Sequence, residues 1–216
     1  MRVVDHPLVI VVCGASGVGK SSVARPLAQQ TGVPLAEADD LVTALKALTT
    51  ATTHPALHHW DTHPEAASWT AQQIVEHTLT VAAELAAGFR AVIADHIAFA
   101  APVVIEGDCL TPDLVDGLDT AACAVVISEP DEDQIIANFL AREPHAGEQS
   151  FRAHVSAMLD AELIRRAQIA GVPVVPARPF HDAPERVARA LQIQLRPDSF
   201  ARKRPIGQLA PADITS

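Results

Sequence analysis

Long apolar runs and paired cysteines are both missing from this sequence. No segment reaches the length of a membrane-spanning helix, and the apolar run at residues 8–13 near the amino terminus is only six residues long. Cys13, Cys109 and Cys123 show no Cys-x-x-Cys spacing, which argues against a zinc site and a disulfide framework. We therefore expect reduced thiols at packing positions in a soluble, cytoplasmic protein that has no secretory signal and no membrane partner.

Cationic side chains are scarce over one long part of the chain. Between residues 26 and 141 the only Lys and Arg residues are Lys46 and Arg90, against seventeen Asp and Glu, and the whole chain has a formal net charge of −10. Because such a surface does not attract nucleic acid non-specifically, we expect no nucleic-acid partner. The length of 216 residues, 49% of them hydrophobic, favours one sizeable domain with a full core.

The most informative stretch is the glycine-rich segment that follows the first apolar run. Residues 14–21 read Gly-Ala-Ser-Gly-Val-Gly-Lys-Ser and match the pattern G-x-x-x-x-G-K-[ST] at every position. In this pattern the loop amides and the next helix amino terminus surround a phosphate, the Lys reaches the β- and γ-phosphates, and the hydroxyl holds Mg²⁺. The sequence thus predicts ATP and Mg²⁺ as cofactors, Ser21 as the metal ligand, and these nucleotide-binding residues: Gly14, Ala15, Ser16, Gly17, Val18, Gly19, Lys20, Ser21 and Ser22.

Predicted strands and helices alternate along the rest of the chain. Short apolar runs predict strands at residues 8–13, 34–38, 103–108, 121–127 and 172–176. Helical periodicity predicts helices at residues 22–31, 41–48, 70–99, 131–142, 151–170 and 185–195. This order indicates a three-layer α/β fold with a five-stranded parallel sheet and helices on both faces. Residues 1–196 are expected to form the domain, and residues 197–216 read as a loosely attached tail.

Three carboxylates fall where predicted strands end, which is where open α/β sheets bind their ligands. Asp39 is predicted to orient an acceptor hydroxyl and to take its proton, whereas Asp40 is predicted to cap the next helix. The alternative is that both acids are caps or ligands of Mg²⁺-bound water. Glu106 ends a very apolar strand and is predicted to be a catalytic acid beside the metal or the attacking group. Its alternative is a helix cap or an exposed loop charge.

Histidines concentrate in residues 49–68, a segment without clear periodicity. Two pairs of them are spaced by four residues, which would suit a metal only on a continuous helix. Pro55 and Pro64 argue against such a helix, and so favour a polar, substrate-facing or merely exposed loop over a metal site. The histidines are His54, His58, His59 and His63, with Trp60 and Asp61 among them.

Four stretches of the sequence share a pattern with a known family. They are residues 14–21; Val33-Pro34 followed by Asp39; Val104-Ile105-Glu106-Gly107 with Pro112 a few residues on; and Arg142 before a helix containing Ile164-Arg165. In these stretches the chain resembles the small P-loop kinases, among them the 2-phosphoglycerate kinase-like proteins. The resemblance implies a P-loop NTPase fold of the nucleoside-monophosphate-kinase type, with a short lid at about 142–152 and an acceptor region at about 40–100. It also implies adenine contacts from Ala177, Arg178 and Pro179.

The resemblance implies transfer of the γ-phosphoryl group of ATP to a hydroxyl of a small molecule. Lys20 would stabilise the phosphates, and lid closure would bring Arg142 and Arg152 to the transition state. The family pattern has an Arg after its Asp-containing turn, but residues 39–43 contain none. We therefore expect the acceptor to be a neutral or cationic metabolite or antibiotic, because a phosphorylated acid would lack charge-assisted partners. A 2-phosphoglycerate kinase proper and a non-kinase, nucleotide-dependent regulatory switch are the alternatives.

Overall fold

A five-stranded, all-parallel sheet forms the centre of the protein, as a computed structural model describes it for residues 7–195. The spatial order of the strands is β2-β3-β1-β4-β5, so β1 lies between β3 and β4. This sheet confirms the predicted fold class. The predicted tail, residues 197–216, lies outside the described residues. The strands are β1 (Val9–Cys13), β2 (Leu35–Glu37), β3 (Val103–Gly107), β4 (Ala122–Ser128) and β5 (Val174–Pro176).

Helices cover both faces of the sheet, because the central strands are apolar on both sides. Alternate residues of β1 belong to two separate apolar clusters: Ile10 and Val12 pack with α1 and α7, and Val9 and Val11 pack with α4, α5 and α6. The helices are α1 (Lys20–Thr31), α2 (Ala38–Leu48), α3 (His59–Thr62), α4 (Ala71–Ala98), α5 (Glu132–Arg142), α6 (Ser150–Ala170) and α7 (Ala183–Leu191).

Local capping sets the ends of several helices close to their predicted limits. Thr70 and Gln73 form a reciprocal capping box at the start of α4, and Asp131 accepts hydrogen bonds from the first amides of α5. Gly32 and Gly171 end α1 and α6 in the left-handed conformation. Gly88 lies inside an uninterrupted α4 of 28 residues.

The helix after β2 starts earlier than predicted, and this changes the place of two acids. Strand β2 ends at Glu37, and α2 begins at once with Ala38, so Asp39 and Asp40 both lie in its first turn. The predicted cap at Asp40 is wrong, because the N-cap position is Glu37 and no side chain within residues 7–195 caps this helix. A Cβ on Gly107 would lie 2.5 Å from the Ala38 Cβ. Glycine on β3 therefore lets α2 start directly against the sheet.

The last helix also differs from its prediction. Helix α7 covers Ala183–Leu191, whereas the predicted range is 185–195. It therefore starts two residues before the predicted start and ends four residues before the predicted end. Pro184 fits the first turn of a helix, where its missing N–H costs nothing, and Gln192 ends the helix in the left-handed conformation. Boundaries of this kind depend on local caps more than on the apolar pattern.

The three cysteines are free thiols in or beside the core, as predicted. Cys13 is buried in β1, and burial raises the pKa of Cys109 and of Cys123 to about 12. Thiols with raised pKa values are poor nucleophiles, so these side chains serve packing. None of the helices within residues 7–195 has the length and apolar character that crossing a bilayer requires.

Candidate active site

The glycine-rich loop joins the carboxyl end of β1 to the amino terminus of α1. Gly19 is the N-cap of α1, with a φ of 100° that an L side chain rarely adopts. No side chain from residues 7–195 caps this helix end, so the amides of its first turn face the loop. On the outer side, Asn138 of α5 donates a hydrogen bond to the Gly17 carbonyl over 2.8 Å. Together with the helix dipole, this geometry forms an anion-binding cradle.

Lys20 extends from this loop to the neighbouring strand. Its side chain is buried, with 6% of the residue exposed, and Nζ donates to the Ala15 carbonyl over 3.2 Å. Nζ also pairs with the carboxylate of Asp108, which directly follows β3. The sequence placed Asp108 at the end of an apolar strand but gave it no function. The structure adds it to the site as the partner of Lys20.

Ser21 and Glu106 meet at the junction of β1 and β3. The Ser21 hydroxyl donates to Glu106 Oε1 over 2.6 Å, and only 5% of Glu106 is exposed. Their proximity follows from the parallel register, which pairs Val12 with Glu106 on the neighbouring strand. A hydroxyl and a buried carboxylate beside a phosphate loop are the oxygen donors that Mg²⁺ prefers. The residues present therefore fit the predicted metal, with Ser21 and Glu106 on the protein side.

Asp39 lies at the edge of this group, in the first turn of α2. Its side chain is exposed, as is that of Asp40. Its carboxylate lies close to Gly107. A Cβ placed on that glycine would be 3.5 Å from Asp39 Oδ1. Partial loss of hydration raises the pKa of Asp39, and the negative charge of Asp108 raises it further. Asp39 thus lies close enough to the Lys20–Asp108 pair for both charges to act on its pKa.

Two arginines of the predicted lid lie over the other side of the loop. Arg142 ends α5 and Arg152 lies in the first turn of α6, and both guanidinium groups stand over the Phe139 ring, at 5.3 and 4.2 Å from its centre. Arg152 Nη2 also lies 3.4 Å from Ser16 Oγ. The segment between the helices includes the short turn Pro144–Ala146. Both predicted lid arginines therefore reach the phosphate loop or its rim.

A cavity of about 370 Å³ opens over the loop. Arg142 and the aromatic ring of Phe180 lie among its walls, so two flat groups border the space next to the phosphate loop. Phe180 follows β5 and packs so closely on the loop that a Cβ on Gly19 would lie 2.6 Å from its ring. The remaining lining residues are Gly17, Gly19, Lys20, Ser21, Ser22, Asn138 and Ala141.

Arg178 does not line this cavity, although the resemblance implied an adenine contact for it. Its guanidinium pairs with the buried Glu129 after β4, and its Nη2 lies 3.1 Å from an Asp131 carboxylate oxygen. These carboxylates hold the pKa of Arg178 above its usual range. The loop after β5 therefore reaches the nucleotide cradle through Phe180, and Arg178 lines a separate cavity of about 940 Å³ beside it.

The histidine-rich segment forms an aromatic cluster of its own. His59 stacks on His63 with ring centres 4.0 Å apart, and it also lies within 4.8 Å of Trp69 and His77. Burial and the neighbouring His59 lower the pKa of His77. In the described part of the chain, no group of three or more His, Cys, Asp or Glu side chains is arranged to hold a metal ion.

Comparisons with solved structures place the fold among known proteins. The chain is similar to TT1252 from Thermus thermophilus, with 16% identity, 87% of this chain and 97% of that chain covered, and a TM-score of 0.53. It is also similar to a gluconokinase from Sinorhizobium meliloti 1021, with 21% identity, 86% and 92% coverage and a TM-score of 0.47. A shikimate kinase from Aquifex aeolicus has 17% identity, 85% and 96% coverage and a TM-score of 0.49. At such identities the likeness concerns the fold alone, and TT1252 is the comparison that supports it.

Sequence comparison identifies the family. No curated protein gives a significant match to this chain. The narrower resemblance to 2-phosphoglycerate kinase-like proteins stays a prediction. The sequence profile of the family described as "AAA domain" matches residues 9–163, which include β1, the phosphate loop, the Ser21–Glu106 contact, Asp39 and the two lid arginines. Because this match covers most of the chain, the protein belongs to that AAA domain family, AAA_33.

Proposed function

We propose that this protein is an ATP-dependent phosphotransferase that moves the γ-phosphoryl group to a hydroxyl of a small neutral or cationic molecule. The observation that carries the proposal is the convergence of Lys20, the Ser21–Glu106 pair and Asp39 at the carboxyl ends of β1, β3 and β2. A phosphate-binding loop alone would serve any nucleotide-binding protein. Asp39, a further carboxylate near the lysine of that loop, adds a group that can act on a second substrate.

The nucleotide phosphates are bound by the loop amides, the amino terminus of α1 and the Lys20 ammonium group. Ser21 and Glu106 would hold Mg²⁺, which when bound neutralises charge on the phosphates. The base occupies the cavity beside Phe180, whose flat ring suits an aromatic base. Arg178, held by Glu129 and Asp131, contributes by fixing the loop that carries Phe180.

Asp39 orients the acceptor hydroxyl and accepts its proton as the phosphoryl group is transferred. Its raised pKa supports this role, because a more basic carboxylate is a better proton acceptor. Asp40 lies in the same turn, but it is Asp39 whose carboxylate lies close to Gly107 at the end of β3, where the charge of Asp108 acts on it. Asp39 is therefore the acid that we assign to proton transfer.

Arg142 and Arg152 neutralise the charge that develops on the transferred group when the lid closes. Their present position supports this role, because Arg152 is already within 3.4 Å of Ser16 and Arg142 borders the loop cavity. Closure also excludes water, which would otherwise accept the phosphoryl group.

The charge of the acceptor region supports a neutral or cationic acceptor. The two cationic residues of this region already have partners. Lys46 pairs with Asp61 at 2.9 Å, and Arg90 donates to the backbone carbonyls of Asp113 and Asp116. Arg25, on the near side of α1, pairs with Glu37 at 2.6 Å. A phosphorylated or multiply carboxylated acceptor beside Asp39 and Asp108 would meet carboxylates rather than cations.

The test is a screen of ADP formation against hydroxylated compounds that differ in charge: neutral polyols, amine-bearing sugars and antibiotics, carboxylic acids, and 2-phosphoglycerate. We expect the highest kcat/KM with a neutral or amine-bearing compound. The highest value with 2-phosphoglycerate or another phosphorylated acid would refute the proposed acceptor class. Slow ADP formation that no acceptor accelerates would favour the regulatory-switch alternative.

A further inference from the structure

Each cation that the proposed reaction requires is already paired with a carboxylate of the same chain. Lys20 pairs with Asp108, while Arg142 and Arg152 both pair with Glu143. Neither carboxylate has a part in the reaction as described above. Their common feature is that each one occupies the positive groups that a triphosphate must contact.

The Lys20–Asp108 pair is the more buried of the two arrangements. The Lys20 side chain is 7% exposed, and an ammonium group so far from water is costly unless it is paired. Apart from Asp108, its contact within the described residues is the Ala15 carbonyl of the loop itself. A β- or γ-phosphate that takes Lys20 must therefore replace Asp108, or bring further negative charge against it.

Glu143 occupies the two lid arginines together. It lies between α5 and α6; its Oε1 accepts from Arg142 Nε over 2.9 Å, and its Oε2 accepts from Arg152 Nη1 over 2.9 Å. Hydrogen bonds from Arg142 and Gln149 lower the pKa of Glu143, so it is a carboxylate at neutral pH. Both guanidinium groups stand over the Phe139 ring, which helps to hold them in place. The two arginines are thus preorganised around one anion that is not the substrate.

We propose that Asp108 and Glu143 are resident counter-ions that the nucleotide phosphates displace, and that they set the affinity for ATP and the rate of ADP release. The inference rests on the proposed function, because it takes the nucleotide phosphates as the displacing group. Both are positioning residues, since they act through Lys20 and through the lid arginines.

This exchange keeps the charges of the site balanced at every stage. Before nucleotide binds, each cation has a carboxylate partner, and in the complex each has a phosphate partner. Net affinity is then smaller than the phosphate contacts alone would give, because equivalent ion pairs are broken. After transfer, the product ADP has one phosphate fewer than ATP. Asp108 and Glu143 pair with their cations again as ADP leaves.

The test is calorimetric titration of the full chain with Mg·ATP and Mg·ADP. The variants are Asp108→Asn and Glu143→Gln, which keep side-chain shape and remove the charge. The matched controls are Asp116→Asn and Glu148→Gln, exposed acids that follow the same two carboxylates in the sequence and have no side-chain contact to the site among the described residues. Asp108→Glu restores a carboxylate and reports on the charge itself. A thermal melt of each variant establishes that it is folded.

We expect Asp108→Asn to lower the Kd for ATP by about tenfold, the equivalent of one charge-assisted hydrogen bond that no longer has to be broken. Glu143→Gln should lower it in the same direction, and ADP release should slow in both. The controls and Asp108→Glu should bind as the wild type does. A merely structural contact would give the opposite sign, because its loss weakens binding.

Unchanged or weaker ATP binding in both folded charge-removing variants would overturn the proposal, as would Asp108→Glu binding as tightly as Asp108→Asn. Glu143→Gln lies in an exposed connection, so it decides the question for the lid if Asp108→Asn does not fold. Failure of the proposed function is a separate result: the wild type would then bind no ATP, or would transfer no phosphoryl group to any acceptor.

Discussion

At the scale of single residues, Asp39 is the group whose chemistry most separates a kinase from other nucleotide-binding proteins. We predict that Asp39→Asn keeps ATP binding within a few-fold and lowers transfer by at least ~10², the usual scale for a positioned acid–base group. The wild-type rate should fall in acid through a pKa above the ordinary value of about 4, because desolvation and Asp108 favour the protonated carboxyl. Calorimetry with ATP and single-turnover transfer rates measure the two effects.

Asp40→Asn is the matched control for that experiment. Asp40 is a neighbour in the same turn and, like Asp39, is exposed, but it does not cap α2. Its loss should therefore leave both transfer and stability close to wild type. If Asp40→Asn were the inactive variant and Asp39→Asn turned over normally, the assignment of the base would be reversed.

The residues that sequence reasoning identified are those whose chemistry is written in local order. The phosphate loop is contiguous, and Glu106 stands out because it ends a very apolar strand; in the structure Ser21 of the loop donates a hydrogen bond to Glu106. Asp108 is two residues from Glu106, yet its partner Lys20 is 88 residues away. Arg178 likewise pairs with Glu129, 49 residues away. Pairings over such separations depend on strand order and side-chain direction, which a single sequence does not contain.

At the scale of elements, the connection from α5 to α6 lies between Arg142 and Arg152, the two arginines to which we assign a role in transfer. We predict that Arg142→Ala and Arg152→Ala each lower kcat by about 10²-fold, the scale of one lost transition-state donor, while ATP affinity changes little. The affinity for ATP is insensitive because each arginine exchanges its ion pair with Glu143 for an ion pair with a phosphate. Removing the arginine therefore removes one ion pair from the free protein and one from the complex. Steady-state kinetics beside ATP titration measure the two parameters.

Arg165→Ala is the control for the lid variants, because Arg165 is an exposed arginine on α6 that pairs with Glu162. It should leave both parameters unchanged. Equal losses of ATP affinity and of kcat in Arg142→Ala and Arg152→Ala would show instead that these arginines contribute no more to the transition state than to ATP binding, and the lid role would be abandoned.

A buried polar contact joins α6 to the carboxyl end of β4. Asp160, with 1% of the residue exposed, accepts from the Ser128 hydroxyl over 2.7 Å, and burial raises its pKa to about 6. The folded state therefore holds a proton that the unfolded chain releases near pH 4. This contribution to stability is full below pH 4 and is lost as the pH rises through 6.

We predict that this loss amounts to the order of 2 kcal/mol between pH 4 and pH 7, and that Asp160→Asn removes it. Urea unfolding of wild type and variant across this range gives the difference in free energy of unfolding at each pH. Asp116→Asn, an exposed aspartate, should show no such change. A wild-type minus Asp160→Asn difference that is constant with pH would mean that Asp160 is ionised throughout.

Element types were predictable, but element limits were not always so. The apolar runs of β1, β3 and β4 and the periodicity of α4 are strong signals, and the structure confirms those elements. Strand β2 has only three residues, and the helix after it starts where the small side chain of Ala38 packs against Gly107. Gly107 and Ala38 are far apart in the sequence, so local sequence patterns do not predict their contact. The end of the strand and the cap at Asp40 were therefore misplaced.

At the scale of the whole molecule, the strand order explains why the site is where it is. β1 is central, β3 and β4 flank it, and β2 lies beyond β3, so the carboxyl ends of β1, β2 and β3 are adjacent. The phosphate loop, Glu106, Asp108 and Asp39 each come from one of those ends. Asp39 and Asp108 lie at the β2 and β3 ends, whereas Arg142 and Arg152 come from the helices that follow β4.

The most direct test of this account follows the γ-phosphoryl group itself. ATP labelled at the γ-phosphate is mixed with the best acceptor from the screen, and the label is located after one turnover. We predict that the label appears in a phosphate ester of the acceptor, and that Lys20→Ala abolishes this while remaining folded, because the charge on the departing phosphoryl group is no longer stabilised. Lys46→Ala, which removes an exposed lysine paired with Asp61, should transfer normally. Label that appears as inorganic phosphate alone, at a rate independent of acceptor, or full transfer by Lys20→Ala, would contradict the account.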